Sequence, residues 1–426
     1  MASSLGTKAR IAASVLLATG FFDAVAGRFA FEPKAGKAPP APDEGGALPS
    51  FRELAGAVHV HSSTYSDGAS DVPTIMQAAC EAGVDFVLLT DHNTQQPLRD
   101  GWEERYANDT PFLLVGTEIT VEHGAFLLAL DTPPDYEPVK HEKPQTSIDA
   151  VLARGGLPLV SLPFDVKHPW RDWEATGYEG LEVVNLSTLA RRHINFLSLF
   201  WLLPVYQFRG PVATLRALMT RPDAALERWD RLTHGGRRPM IGLGALDAHA
   251  LMKIGRKKYP IPSYADSFRA TTTRFLVPPE TGDGRERRAA VYEALRAGRC
   301  YIAYDCIGTP TGLSFTATHG SRGTRAQMGE TLPASGGPVT FSVQVGGAKE
   351  SGSTELPGLL VRLYRDGTVV AAAAAAGGGP GAWLTHTDSS PGAYRVEVCR
   401  YAFRVGPLFF GVRPWLFSNP IYVPCP

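Results

Sequence analysis

Residues 57–93 read AVHVHSSTYSDGASDVPTIMQAACEAGVDFVLLTDHN. The stretch opens on a short apolar strand that ends in His59 and His61. Side chains at i and i+2 of a strand share one face, so both imidazoles can reach one metal ion. Ser66-Asp67-Gly68 follows, a turn able to swing a carboxylate back towards the strand end. Asp71 is placed to cap a helix that starts Val72-Pro73, and Val72, Ile75, Met76 and Ala79 fall at helical spacing. Gly83 ends that helix, and Val84–Leu89 is a buried-strand run closed by Thr90-Asp91-His92-Asn93. Strand, helix, strand is one βα repeat, the unit of parallel sheets and barrels.

Outward from this unit, Phe112–Val115, Leu157–Leu162, Leu181–Val184 and Met240–Leu243 are further short apolar strands. In (β/α) barrels the C-terminal strand ends carry the chemistry. A barrel therefore demands reactive side chains there, and the sequence supplies them. Glu118 follows the third strand with His123 a few residues on, and Asp247-Ala248-His249 repeats the i, i+2 pair near residue 243. Taken singly, Asp91-His92 reads equally as an ordinary turn and Glu118 as a surface carboxylate. Five of the eleven histidines (59, 61, 92, 123 and 249) at predicted strand ends, beside Asp67, Glu118 and Asp247, instead describe a multinuclear metal centre.

The texture changes after about Pro310. Thr340–Val345, Leu359–Tyr364, Thr368–Ala371 and Tyr394–Val398 read as antiparallel strands, with Arg365-Asp366-Gly367 a hairpin turn. The run Ala371–Ala376 before Gly377–Gly379 is either a loop or the continuation of a strand. Residues 311–426 are expected to form a β-sandwich, with no metal-ligand cluster of its own.

Lys plus Arg equals Asp plus Glu at 42 each, a balance that argues against nucleic acid as a partner and leaves a small-molecule substrate open. The five cysteines form no CxxC pair; a Cys300–Cys306 bridge and free thiols both fit the spacing. At the N-terminus Lys8 and Arg10 precede the apolar run Ile11–Phe22 and then Ala24-Val25-Ala26, the order of a secretory signal. Residues 1–26 are thus expected to direct export to a periplasmic or extracellular location, an uncleaved anchor being the one membrane attachment the reading allows. Residues 27–50, rich in Pro, Ala and Gly, read as a linker. Oligomeric state has no signal.

The ordered set HxH, SDG, TDHN, GTE and DAH resembles the PHP superfamily, named for polymerase and histidinol phosphatase domains. The stretches Gly180–Asn185 (GLEVVN), Arg191–Phe196 and Trp415–Tyr422 (WLFSNPIY) are similar to its carbaryl-hydrolase-like branch. The resemblance covers roughly residues 51–426 and implies a distorted (β/α)7 barrel over 51–310. It also implies that His59, His61, Glu118 and Asp247 hold one metal and that Asp67, His92 and His249 hold another. Glu118 and His123 would serve a third position. The family's His-Pro pair at the fourth strand end is replaced here by Ser161-Leu162-Pro163-Phe164, and leucine cannot bind a metal. His168 either substitutes from the loop or merely packs.

A donor set of imidazole and carboxylate without thiolate suits two or three divalent zinc, manganese or iron ions. The expected reaction is hydrolysis by metal-activated hydroxide, of a phosphoester or of a carbamate, ester or amide. Asp247, His249 and Arg192 are the residues expected to take part. Arg191 and Arg192 either clamp an anionic substrate or simply start a helix. Phe196–Phe208 is too short to span a membrane and either lines a pocket, forms a lid or packs. The rival reading is a metal-binding envelope protein without turnover, kept open by Leu162.

Overall fold

The computed structural model describes residues 50–425 apart from 237, 255–256, 260, 281, 321–322, 334–336, 347, 350–357, 377–381 and 406–407. The expected signal peptide and, but for residue 50, the linker lie outside the described residues, as do Gly377–Gly379.

Strands β1 (Arg52–Val60), β2 (Phe86–Leu89) and β3 (Phe112–Val115) are parallel neighbours. The helix Val72–Ala82 joins the first two. Asp71 accepts a hydrogen bond from the Thr74 amide at its start, and Gly83 closes it in the left-handed region at φ 74°. Val72, Ile75, Met76 and Ala79 face inward. Full burial of each larger one stabilises by about 1.5–3 kcal/mol.

β3 passes through Gly116 into β4 (Thr117–Thr120), which pairs antiparallel with β5 (Phe126–Leu130). A Cβ at Gly116 would meet the Leu130 side chain at 2.6 Å. β5 runs antiparallel to β6 (Leu157–Ser161), and β6, β7 (Gly180–Asn185) and β8 (Ile241–Ala245) are parallel. Beyond β8, Leu246 N donates to Val58 O, Ala248 N to His59 O and His61 N to Ala248 O. These bonds draw the end of β8 onto the end of β1, so the strand ends that carry the histidines and carboxylates converge.

The α/β character expected from the sequence holds, and the succession of parallel strands is broken at β4 and β5. Residues 121–125 alone separate β4 from β5. A parallel crossover needs about a dozen residues or more, so the chain turns straight back.

After β8 come a small hairpin, β9 (Met252–Ile254) with β10 (Lys257–Tyr259), then β11 (Thr272–Val277) and β12 (Cys300–Ala303), which extend the sheet antiparallel from the other edge of β1. Further on are β13 (Thr309–Pro310), β14 (Leu313–His319), β15 (Arg325–Gln327), β16 (Val339–Val345), β17 (Ala348–Lys349), β18 (Gly358–Arg365) and β19 (Thr368–Ala376). The last are β20 (Ala382–Asp388), β21 (Gly392–Val405), β22 (Leu408–Ser418) and β23 (Ile421–Val423). β22 pairs with β12, so β19, β18, β21 and β22 form one ten-stranded sheet with β12, β11, β1, β2 and β3, β23 joining through β21. A second layer, β15-β14-β16-β20, covers part of it, with the Phe341 ring stacked on Tyr394 at 4.0 Å. The C-terminal region is thus two β layers, one of them continuous with the sheet that carries His59. Its alanine run extends strand β19. Asp366 and Gly367 take φ 48° and 82° in the two-residue turn between β18 and β19, the left-handed pair a tight hairpin favours. All five cysteines are free. No helix among the described residues is long and apolar enough to cross a membrane.

Asn419 locks the C-terminal segment to the middle of β8. Its side chain accepts from Gly242 N at 2.8 Å and donates to Gly242 O at 3.0 Å and Cys300 O at 2.8 Å. Asn419→Ala would leave the buried Gly242 N–H and C=O without these partners, while Cys300 O keeps the Asn419 backbone amide, and is expected to cost about 3 kcal/mol in urea unfolding. A loss near zero would show that this segment does not hold the sheet.

Candidate metal centre

His59 lies at a bulge. The β1–β2 register skips between Val58 and Val60, and His59 takes φ 68°. Simple alternation therefore does not place the two histidines; the bulge re-aims His59 so that it and His61 reach the same cluster. Asp247 is likewise left-handed, at φ 51°. Non-glycine residues held there cost about 1–3 kcal/mol each and persist where the surroundings enforce them. Gly68 has a different task. A Cβ on it would lie 2.2 Å from the His61 carbonyl oxygen, so the turn after Asp67 closes directly against the strand end. Tyr264 holds that turn, its hydroxyl donating to His61 O and accepting from Ala69 N.

Two groups of donors result, His59, His61, Glu118 and Asp247 in one, and His61, Asp67, His92 and His249 in the other. In the first, His59 Nε2 is 3.2 Å from Glu118 Oε1 and 3.7 Å from Asp247 Oδ1. His61 Nε2 is 3.5 Å from both Glu118 Oε2 and Asp247 Oδ1. Most of these are long for hydrogen bonds. Donors about a four-coordinate ion with bonds of about 2.1 Å sit about 3.4 Å apart, which is the spacing seen. His59 Nε2, both ring nitrogens of His61, His92 Nδ1 and Glu118 Oε2 are buried without a hydrogen-bond partner. Orphaned lone pairs are costly unless a cation completes them, so the residues fit divalent metal.

Glu118 links the groups. Its Oε1 faces His59, while Oε2 lies 3.2 Å from His92 Nδ1. The first group is fully buried, whereas Asp67 is exposed and His92 and His249 are half-buried.

Outer contacts fix the ligands. His59 Nδ1–H donates to Glu182 Oε1 at 2.6 Å, which leaves Nε2 for a metal. Glu182 also accepts from Leu162 N at 2.9 Å and Asn185 Nδ2 at 2.9 Å. The Ser161 hydroxyl donates to Glu118 Oε1 at 2.7 Å. Arg191 spans Asp165 at 2.7 Å and Asp247 Oδ2 at 3.0 Å, so Oδ1 is turned towards the imidazoles. Burial, then the charge on His249, pushes His61 down to about 3, which holds it neutral and ready to ligate. Burial opposes the charge on His249 too, but Asp247 and Asp67 outweigh it and carry that imidazole up to about 9. Burial pushes the Asp91 carboxyl up to about 7 against hydrogen bonds from the Ser62 amide and hydroxyl.

Seven of the expected ligands are thus brought together. The other two stand apart. His123 is exposed at φ 61° and belongs to neither group. His168 is half-buried, its Nδ1 3.0 Å from Gly124 O and its ring edge-on to Phe126, which in turn lies 5.5 Å from His92. Leu162 is buried at φ 48°. Arg192 is exposed and donates to Phe164 O, while its neighbour Arg191 reaches Asp247.

No family model matches the chain, and no curated protein matches it. Among solved structures, PsfC from Pseudomonas syringae is similar at 14% identity and TM-score 0.37, over 57% of this chain and 90% of that one. A protein proposed to be a metal-dependent phosphoesterase, from Bifidobacterium adolescentis, is similar at 17% identity and TM-score 0.30, over 46% and 87%. An amidohydrolase from Chromobacterium violaceum matches at 16% and 0.30, over 49% and 92%. Likenesses this faint carry no argument about the reaction. The ligand geometry has to carry it.

Sequence reasoning missed Glu182, Ser161 and Tyr264 as parts of the site. A carboxylate inside the buried strand GLEVVN is itself a signal, because it needs a partner. Tyr264 has no such signal, since it arrives from a helix 203 residues after His61. Glu182→Gln is expected to weaken metal binding by about 10- to 100-fold with the fold retained, read by competition with a metal-chelating dye. Unchanged affinity would remove Glu182 from the centre's support.

Proposed function

We propose that this chain is a metal-dependent hydrolase of the PHP type, acting on a phosphoester, with a carbamate, ester or amide as the competing substrate classes. The observation that carries the reading is the asymmetry about Glu118: one oxygen faces a closed, buried ligand group and the other an open one. A structural metal site is closed on all sides, whereas a catalytic one keeps a position open.

His59, His61, Glu118 and Asp247 would hold a deep ion, and Asp67, His92 and His249 an outer one, with Glu118 between them. Bound zinc, manganese or iron would acidify water and neutralise charge on the attacked group. The chain's own residues set the approach. Asp67, exposed, and His92 and His249, half-buried, leave the outer group open to substrate, while the buried His59, His61 and Asp247 keep water from the other side. Arg191, committed to Asp165 and Asp247, positions a ligand instead of meeting substrate. Arg192, exposed and bonded to Phe164 O, does not touch either ligand group. Charge favours the phosphoester: three carboxylates (−3) against two dications (+4) leave +1 when the imidazoles are neutral.

The test is elemental analysis with hydrolysis of aryl phosphate, phosphodiester and aryl carbamate run in parallel, before and after chelation. About two equivalents of metal are expected, with activity lost on chelation and restored by zinc, manganese or iron. Asp247→Asn should abolish turnover. A protein that binds metal yet hydrolyses none of the three classes would be a binding module, and one that binds no metal would end the catalytic reading.

A further inference from the structure

The helix Phe196–Leu218 is apolar on two sides. Ser198, Leu202 and Val205 face inward. Phe196, Leu197, Phe200, Leu203 and Phe208 face solvent, each between 60% and 76% exposed. Phe196, Phe200 and Leu203 recur at i, i+4 and i+7, one stripe of the helix, and Leu197 and Phe208 (i+1 and i+12) widen it by about 100–120° on one side; the Phe196 and Phe200 rings stand edge to face at 5.4 Å. Isolated exposed apolar residues are ordinary, but a contiguous stripe of phenylalanine and leucine is the mark of an interaction surface.

Charge around the stripe narrows the partner. Between Glu182 and Asp223 the chain contains no acidic residue and five arginines. Arg191 and Arg221 are committed to carboxylates. Arg192 and Arg209, on either side of the stripe, are exposed and have no carboxylate partner among the described residues. A helix with aromatic and leucine side chains outward, flanked by arginine and free of acids, complements a bilayer surface. Its apolar side chains enter the acyl boundary and its guanidiniums meet lipid phosphates. A buried protein partner would not call for the absence of acids over forty residues. The helix also starts five residues after Arg191, which holds Asp247, so this face adjoins the candidate centre in the chain.

We propose that the Phe196–Phe208 face docks on an anionic lipid bilayer, lying in the interface without spanning it. The proposal does not depend on the hydrolase reading.

Co-sedimentation of the full chain with phosphatidylcholine vesicles, with and without phosphatidylglycerol, tests this. The natural chain should bind the mixed vesicles, less so at raised salt. A variant carrying Phe196→Ser, Leu197→Ser, Phe200→Ser and Leu203→Ser should lose about 100-fold in partitioning with its melting temperature unchanged. Arg192→Glu with Arg209→Glu should abolish the preference for phosphatidylglycerol. Serine variants that sediment like the natural chain would assign any binding to the N-terminal run and overturn the proposal. Equal binding to both vesicle types would overturn its anionic part. A natural chain that ignores vesicles but is a dimer by light scattering, made monomeric by the serine substitutions, would make the face a contact between copies instead.

Discussion

The constraint on which the rest depends is the burial of Glu118 and His59 with inward lone pairs that no protein donor meets. Desolvating such groups costs several kcal/mol each unless a cation or a complete hydrogen-bond set offsets it. The protein supplies half of that set from behind: Glu182 for His59, Ser161 for Glu118, Arg191 for Asp247. What remains unmet is concentrated on one side of each ligand. A fold tolerates this arrangement only when something else enters the gap.

Rigid strand ends follow from that demand. Donor atoms must stay within a few tenths of an ångström of a common point, and loops alone rarely hold such tolerances. Here the end of β8 is hydrogen-bonded to the end of β1, so His59, His61 and Asp247 belong to one backbone network. The left-handed residues His59 and Asp247 are the local cost of aiming those side chains. On the far side β12 pairs with β22, so the C-terminal strands continue the sheet that carries His59. Asn419 then closes on Gly242, in the strand that leads to Asp247. The C-terminal region thus braces the site, and among its described residues none is a ligand.

Much of this was legible in the sequence, and the exceptions have physical reasons. Short apolar runs ending in polar clusters marked β1, β2 and β8, because a buried strand must release its polar residues at an end. The helix Val72–Ala82 was readable from both caps. Less visible was the antiparallel turn at residues 121–125: Glu118 and His123 looked alike as strand-end residues, but the chain reverses between them and leaves His123 in solvent. The continuity of β12 with β22 was hidden because it joins residues more than a hundred apart. Arg191 and Arg192 could not be separated by type; helical position alone sends one to Asp247 and the other to the surface.

Leu162 illustrates how a departure from a familiar pattern can be absorbed. A histidine there would offer one more ligand, yet the fourth strand end is not idle without it. The Leu162 amide donates to Glu182, the carboxylate that orients His59, and the adjacent Ser161 hydroxyl donates to Glu118. Ser161 thereby occupies a lone pair of the very oxygen that faces His59. With His123 exposed and His168 bonded to Gly124, neither of the two expected extra donors joins either ligand group. This strand end positions ligands and supplies none, and Glu118 lies between the two ligand groups found among the described residues.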